Sequence, residues 1–390
     1  MRSRIFTRGL VANVFVLSIA LIFLVVINFW VPQAFTVALA IGGLIGAGVV
    51  LYEVRLTKRI AQAEFIRLLN DGFVGDANTN ELWRKLLLGE PTGPADRHLM
   101  SAYLTFFETL FVLMGRGVLD FALVDNLFRN RFFKAVGDPG VLSVALLAER
   151  DAFVNVQSLM KEWRAYLRST RTRLPDGYFS YACAHLAVEG FVFSPLTVTD
   201  LDDLLELQDD VKANLENKAL LRENSPEMFQ DCLENQFVLG ARSGGRLVAA
   251  GILVDVGQDE ENIQKYLTQD SELINASCNL KLILVAPDSR GFGLAKFIVE
   301  LLEREASGRG QRFMLCTIHP KNQASQRFFG GLGYRRRKRV ATSYGARYVF
   351  ELDLPTPTAS RRSAINRAIA SMQLGSRREY EGENALIAVQ

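Results

Sequence analysis

The chain has 390 residues, its 45 Lys and Arg nearly balance 42 Asp and Glu for a net charge of +3, and 49% of it is apolar. So small a charge argues against a nucleic-acid partner, and Cys183, Cys232, Cys278 and Cys316 lack the paired spacing of a disulfide framework, which fits reduced thiols. The apolar share suits an anchored protein with folded soluble parts.

From Gly9 to Tyr52 no residue is charged, and Val31-Pro32-Gln33 divides the run into residues 10–30 and 35–52. Each piece is about long enough to cross a hydrocarbon core of roughly 30 Å as a helix. Arg2, Arg4 and Arg8 flank one end, Arg55, Lys58 and Arg59 the other, and the connection carries no charge. The positive-inside rule then places a two-helix hairpin, residues 1–56, in an inner (cytoplasmic) membrane with both termini in the cytoplasm. Ala38-Leu39-Ala40 has the look of a signal cleavage site, but it lies inside the second apolar run, and the first run exceeds the usual signal core of about 7–15 residues. Gly42 and Gly46 have the small-xxx-small spacing that lets helices approach, within the hairpin or between protomers of a homo-oligomer.

Residues 57–182 read as a packed helical subdomain rich in Phe, Leu and Tyr, with helices at 99–114 and 119–133 joined at Gly115-Arg116-Gly117. Pro139 and Gly140 break the pattern before a longer helix at 141–169. A spacer or oligomerisation role is expected for it.

Residues 190–354 alternate between the two periods. A strand starts at 191–193, helices follow at 200–216 and 226–235, and strands at 237–241 and 246–256 form a hairpin across Ser243-Gly244-Gly245. An acidic insertion, residues 257–273, carries Asp259, Glu260, Glu261, Asp270 and Glu272; it offers either a solvated face or an attraction for a cationic amine. A strand at 280–285 empties into Ala286-Pro287-Asp288-Ser289-Arg290-Gly291-Phe292-Gly293-Leu294-Ala295, and a helix at 294–305 leads to a strand at 312–318. Then come His319-Pro320-Lys321, a segment from Asn322 to Tyr334 containing Phe328-Phe329-Gly330, and strands at 336–343 and 347–354 closing across Tyr344-Gly345-Ala346. The tail, residues 355–390, reads as mobile, with a short amphipathic pattern at 365–374.

The turn after the strand at 280–285 is built to hold an anion. Glycines at 291 and 293 admit close approach of backbone to a phosphate, and the N–H groups opening the next helix add partial positive charge. The turn lacks the Gly-Lys-Ser/Thr ending of a nucleoside-triphosphate loop and the third glycine of a dinucleotide fingerprint. It resembles the Arg/Gln-x-x-Gly-x-Gly/Ala pyrophosphate loop of the GNAT superfamily of N-acetyltransferases, read here at Arg290, Gly293 and Ala295. The segment Asn322 to Tyr334 is similar to a second signature of that superfamily, in which an Asn opens a helix before an aromatic pair, Gly and an aromatic. The resemblance covers residues 191–354. It implies an α+β fold, a mixed and mostly antiparallel sheet flanked by helices, here preceded by the helical subdomain and the transmembrane hairpin.

The resemblance further implies acetyl-CoA as co-substrate and an amine-bearing small molecule or protein as acceptor, attacked directly in a ternary complex. Arg290, Gly291, Phe292, Gly293, Leu294 and Ala295 would bind the pyrophosphate, backbone at Leu284 and Val285 the pantetheine arm, and Asn322 that arm further along. The second aromatic of the pair is often a Tyr that protonates the leaving thiolate; here it is Phe329, which has no proton to give. Tyr334 and Tyr344 are candidate replacements, although Tyr334 occupies a position that suits core packing, and His319 is a candidate base. The loss of that Tyr leaves open a module that binds CoA without turnover. The run Arg335 to Arg339 splits between two faces by strand alternation; its uses are the CoA 3′-phosphate, anionic lipid headgroups such as those next to residues 10–52, nucleic acid, or simple solvation. No His, Cys, Asp or Glu set has metal-ligand spacing, so no metal is expected.

Overall fold

The computed structural model of the protein describes residues 32–149 and 151–355. The apolar run expected as a first helix at 10–30 and the tail beyond residue 355 lie outside the described residues. The chain divides into two compact units, residues 1–72 with 118–123, and residues 73–117 with 124–390.

In the first unit the dominant element is α1, Pro32–Gly75, which runs without a break through residue 56. From Ile41 to Ile60 its large apolar side chains are exposed, Leu44 at 75%. A water-facing helix normally alternates polar and apolar faces; this one is apolar all round until Glu53. The segment Ala40–Gly75 is long and apolar enough to cross a membrane.

The second unit opens with a helical region: α2 (Ala77–Leu88), α3 (Arg97–Gly115), α4 (Phe121–Val136), α5 (Val154–Ser169) and α6 (Asp176–Val188). Its core is aromatic. Phe73 meets Tyr103, Phe107 and Phe128 edge-on, and Trp163 stacks on Phe132 with ring centroids 4.7 Å apart while its indole N–H donates to Asp125 at 2.6 Å. The stretch Pro94–Gly115 is also apolar enough to span a bilayer, but it buries Leu99, Met100, Tyr103, Leu104, Phe107 and Leu110 in this core. The single helix expected at 141–169 is two pieces: a π-helical turn at Leu142–Leu146 precedes an irregular stretch, and α5 starts only after Phe153, whose backbone leaves the helical region and whose side chain is buried.

Seven strands follow in the order β1-β2-β3-β4-β5-β7-β6. They are β1 (Phe191–Pro195), β2 (Phe237–Ser243), β3 (Arg246–Val254), β4 (Ser277–Val285), β5 (Phe313–Ile318), β6 (Arg335–Thr342) and β7 (Gly345–Asp353). All neighbours are antiparallel except β4 and β5. This is the mixed, mostly antiparallel sheet flanked by helices that the sequence predicts. Helices α7 (Leu201–Ala213), α8 (Pro226–Asn235) and α9 (Leu294–Gly308) pack on it, and α10 (Gln323–Gly331) lies between β5 and β6 in the chain. Gly251, mid-β3, is where α9 comes closest: a Cβ there would lie within 3.0 Å of Ile298, Ile283 and Leu302.

The acidic insertion is more than a solvated face. Its residues Ile263–Tyr266 form a short 3-10 helix, and Ile263 packs into a cluster with Leu315, Val340 and Val349. Asn262, fully buried, donates to the carbonyls of Gly257 and Ile274, and Asn279 donates to that of Glu261 at 2.9 Å. The insertion is therefore pinned across β4, β5 and β7. The basic run at 335–339 lies on edge strand β6 around a bulge between Arg336 and Lys338, and all five side chains are exposed. Arg335 pairs with Asp353 and Arg337 with Glu351, whereas Arg336 covers the Tyr348 ring.

The helical region grips α9 through buried charge. Arg164 donates to Glu300 at 2.6 Å, Arg168 pairs with Glu303 and with the Leu332 carbonyl, Tyr178 donates to Glu300 at 2.6 Å, and Arg304 pairs with Asp176 at 2.8 Å. Partner numbers rise together along α5 and α9 and in opposition along α6, so α5 runs parallel and α6 antiparallel to α9. Burial raises the Glu303 carboxyl pKa against the opposing pull of Arg168. Removing one partner of such a set strands the others away from water. Glu300→Ala is accordingly expected to lower unfolding free energy by about 3 kcal/mol. Asp353→Ala, which touches the surface pairs with Arg171 and Arg335, should cost less than about 1 kcal/mol, and urea denaturation of the two variants side by side checks the contrast.

Candidate active site

β4 and β5 pair over three positions only, Ser277 with Phe313, Cys278 with Met314 and Asn279 with Leu315. Beyond them the strands part. The cause lies on the β3 side, where the register slips so that Leu280 faces Leu253 and Leu282 faces Ile252, leaving Lys281 as an extra residue. A bulge of this kind bends its strand and increases local twist. From Leu280 to Val285 the edge of β4 that looks toward β5 has no strand partner, so a wedge opens with backbone groups along one wall.

β4 ends in the expected turn. A 3-10 segment at Pro287–Ser289 leads through Arg290 to Gly291 and Gly293, whose φ angles are +93° and +86°, and α9 begins at Leu294. Leu284 and Leu294 are buried, Val285 and Ala295 half-buried, and Arg290, Gly291, Phe292 and Gly293 exposed. The Phe292 ring rests on Phe191 at 5.1 Å. Ser289 and Arg290 donate back to Ala286 and Pro287, but none of the N–H groups from Gly291 to Lys296 donates to a protein acceptor among the described residues. They are the free first-turn donors of a long helix. Lys296 in that turn has no ion pair among the described residues, and burial lowers its pKa, with Arg164 and Lys161 adding to the effect.

Asn322 sits across the wedge at the start of α10. Its Oδ1 caps the helix by accepting from Ser325 N at 3.0 Å, so only its amide nitrogen is free to donate elsewhere. Phe329 is 8% exposed and packs against Phe328 and Tyr334.

The three titratable candidates separate. Tyr334 is buried with its ring against Phe329 and its hydroxyl beside Glu303, and burial drives its pKa far above the ordinary value. It packs the core. His319 is half-exposed at the end of β5; its Nδ1 accepts from Lys321 N at 3.1 Å, and burial lowers its pKa, helped by the charges of Arg347 and Lys321. Taking a proton at Nδ1 would break that bond. Tyr344, in the β6–β7 turn, places its hydroxyl 3.2 Å from the Thr317 hydroxyl on the parted end of β5.

Three side chains missing from the sequence reading, Arg222, Arg347 and Lys281, gather at the same place with Glu261. Arg222, from the α7–α8 connection, lies over the Tyr344 ring at 4.3 Å, and Arg347 of β7 lies near that ring at 5.0 Å. Glu261 of the insertion pairs with Lys281 at 3.6 Å and stands 3.9 Å from Arg222. They come from four segments of the chain, and no spacing in the sequence signals them. By register, Leu315 and Thr317 share a face of the sheet with Val349 and Arg347. That face lies opposite the one holding Cys316 and Tyr334, so the wedge has two mouths.

Residues 201–334, about a third of the chain, match the model of the Acetyltransferase (GNAT) family. No curated protein matches the chain. Similar solved structures include an N-acetyltransferase from Staphylococcus aureus Mu50 (15% identity, TM-score 0.34, covering 42% of this chain and 99% of that one). The ribosomal-protein-S18-alanine N-acetyltransferase from Escherichia coli is 19% identical with a TM-score of 0.32, over 44% of this chain and 97% of its own. The PaiA N-acetyltransferase from Thermoplasma acidophilum, in complex with coenzyme A, is 16% identical with a TM-score of 0.32, over 42% and 98%.

The loop glycine is held by conformation, not by crowding, since a Cβ at Gly293 would meet nothing within 4 Å. Gly293→Ala should therefore cost about 1–2 kcal/mol of stability through its left-handed backbone. Gly330→Ala, in α10 with equally open surroundings and an ordinary φ, should gain up to about 1 kcal/mol. Thermal unfolding of both variants tests the distinction.

Proposed function

We propose that this protein is a membrane-anchored N-acetyltransferase that moves acetyl from acetyl-CoA to an amine by direct attack in a ternary complex. One conjunction carries the reading: a strand edge left open by the parting of β5 ends in a loop whose N–H groups, from 291 to 296, find no carbonyl among the described residues. Both features lie inside the segment that matches the family. Bound acetyl-CoA would supply an acetyl thioester already activated toward nitrogen.

The residues present fit it. The run of donors from Gly291 through Ala295, with Arg290 beside it, suits a diphosphate, and the open edge at Leu284 and Val285 suits an arm that carries amides. Asn322 contributes its amide N–H. Phe329 has no proton for the departing sulfur, and Tyr344 takes that role in this reading because its hydroxyl stands at the mouth of the wedge beside Thr317. Glu261 is the carboxylate nearest that mouth and the candidate to receive the amine's proton through water. A module that binds CoA without turnover is the second reading, favoured by Phe329 alone.

Residues 10–52 serve as the anchor, with the domain and both termini on the cytoplasmic side of an inner membrane. Support comes from the charge-free run and from the apolar surface that α1 exposes between Ile41 and Val54. Gly42 and Gly46 face open space on that helix and leave room for contact with another helix.

Gly293→Trp should abolish CoA binding in calorimetry while the circular dichroism spectrum keeps its native form; native affinity in that variant would refute the loop's role. Tyr344→Phe should leave CoA affinity unchanged and lower kcat by about 100-fold, the ordinary scale of a lost general acid. A kcat within twofold of the parent would remove Tyr344 from the reaction.

A further inference from the structure

Arg347 is the most unusual charge in the domain. It is 6% exposed, yet among the described residues it forms no ion pair; its hydrogen bond goes to the adjacent Ala346 carbonyl, and the Tyr344 ring covers it. A guanidinium cannot shed its charge, and burying one without an anion is strongly unfavourable. Among the described residues the one other arginine buried as deeply, Arg304, has Asp176, and the half-buried Arg164 and Arg168 have Glu300 and Glu303. Burial lowers the Arg347 pKa and the charge of Arg222 lowers it further, so the two cations work against one another in the absence of an anion.

The surroundings do not redress the balance. Arg222 lies over the same tyrosine ring at 4.3 Å, and Lys281 projects from the bulge of β4, half-buried. Glu261 is the carboxylate that Lys281 and Arg222 share, and it is itself exposed. Three permanent cations thus meet one carboxylate where the Tyr344 and Thr317 hydroxyls mark the mouth of the wedge. The acidic insertion, which in the sequence looked able to draw in a cation, delivers only Glu261 here, already partnered.

We infer that this mouth is an acceptor subsite for an anionic group, with Arg347 and Arg222 beside Tyr344 to hold a carboxylate or phosphate carried by the amine that is acetylated. The acceptor is then a small zwitterionic amine, an amino acid or a phosphorylated amino alcohol, whose nitrogen the anion contacts hold toward the wedge. Guanidinium groups suit both anions because each presents paired donors in one plane. The inference rests on the acetyl-transfer reading and adds the substrate class to it.

The test compares matched amines on the full-length protein in detergent, following thiol release from acetyl-CoA: β-alanine against propylamine, and phosphoethanolamine against ethanolamine. The expected result is a kcat/KM higher by about tenfold or more for the anionic member of at least one pair, the pair identifying carboxylate or phosphate as the group recognised. Arg347→Gln and Arg222→Gln should each pull that ratio toward one, mainly through KM, with CoA affinity by calorimetry unchanged. Should Arg347→Gln fail to fold, the parental ratio and the surface variant Arg222→Gln still decide. Equal rates within both pairs, or faster neutral amines, would overturn the inference and leave acetyl transfer standing. Thiol release with none of the four, while CoA still binds, would overturn both.

Discussion

The parting of β4 from β5 is the constraint from which the rest of this domain follows. Three paired residues hold the strands together at one end, and the bulge at Lys281 turns β4 away before a fourth pair can form. An interior strand that loses a neighbour normally leaves N–H and C=O groups unsatisfied, at a cost of about 1–3 kcal/mol each if they stay dry. A sheet keeps such a gap where something polar is meant to enter it. The loop with free donors lies at the end of this same strand, and the Tyr344 and Arg347 side chains gather at the gap's other mouth, so one irregularity in one strand orients both halves of the site.

The helical region is attached to α9, the helix that follows the glycine loop at residues 290–293. Glu300, Glu303 and Arg304 lie on the face of α9 turned from the sheet, and α5 and α6 meet them with Arg164, Arg168, Tyr178 and Asp176. Buried ion pairs add little net stability compared with apolar packing, but they are intolerant of misalignment, because a shift of one residue leaves charges unpaired. Their effect here is to fix the rotation and height of α9 relative to the helices before it. Arg168 extends the same grip to the end of α10 through the Leu332 carbonyl. The helices that flank the wedge are thus held from outside by a subdomain with no catalytic motif of its own.

Much of the fold was legible. The strand, turn and helix around residues 280–305, the Asn322 cap and both hairpins lie close to where alternation, helical period and turn residues put them. The helix expected at 141–169 failed because its apolar spacing continues across residues 147–153, while the backbone there is broken to bury Phe153. The charges of the insertion suit a solvated face or an attraction for a cationic amine, yet Asn262 and Ile263, two residues in its middle, carry it into the core. Tyr334 was readable as packing, and of the two phenols the sequence offers in place of Phe329 it is Tyr344 whose hydroxyl stands beside Thr317.

By itself the sequence determined the order of elements, the strand, turn and helix at residues 280–305 and the long uncharged run at the N-terminus, since each depends on residues within a turn or two of one another and local backbone preference decides them. Only the tertiary structure decided the two mouths of the wedge, the charged grip on α9 and the meeting of Arg222, Glu261, Lys281, Thr317, Tyr344 and Arg347. Those side chains are brought together by strand register and by the bulge at Lys281, long-range pairings that the local pattern of residues does not encode.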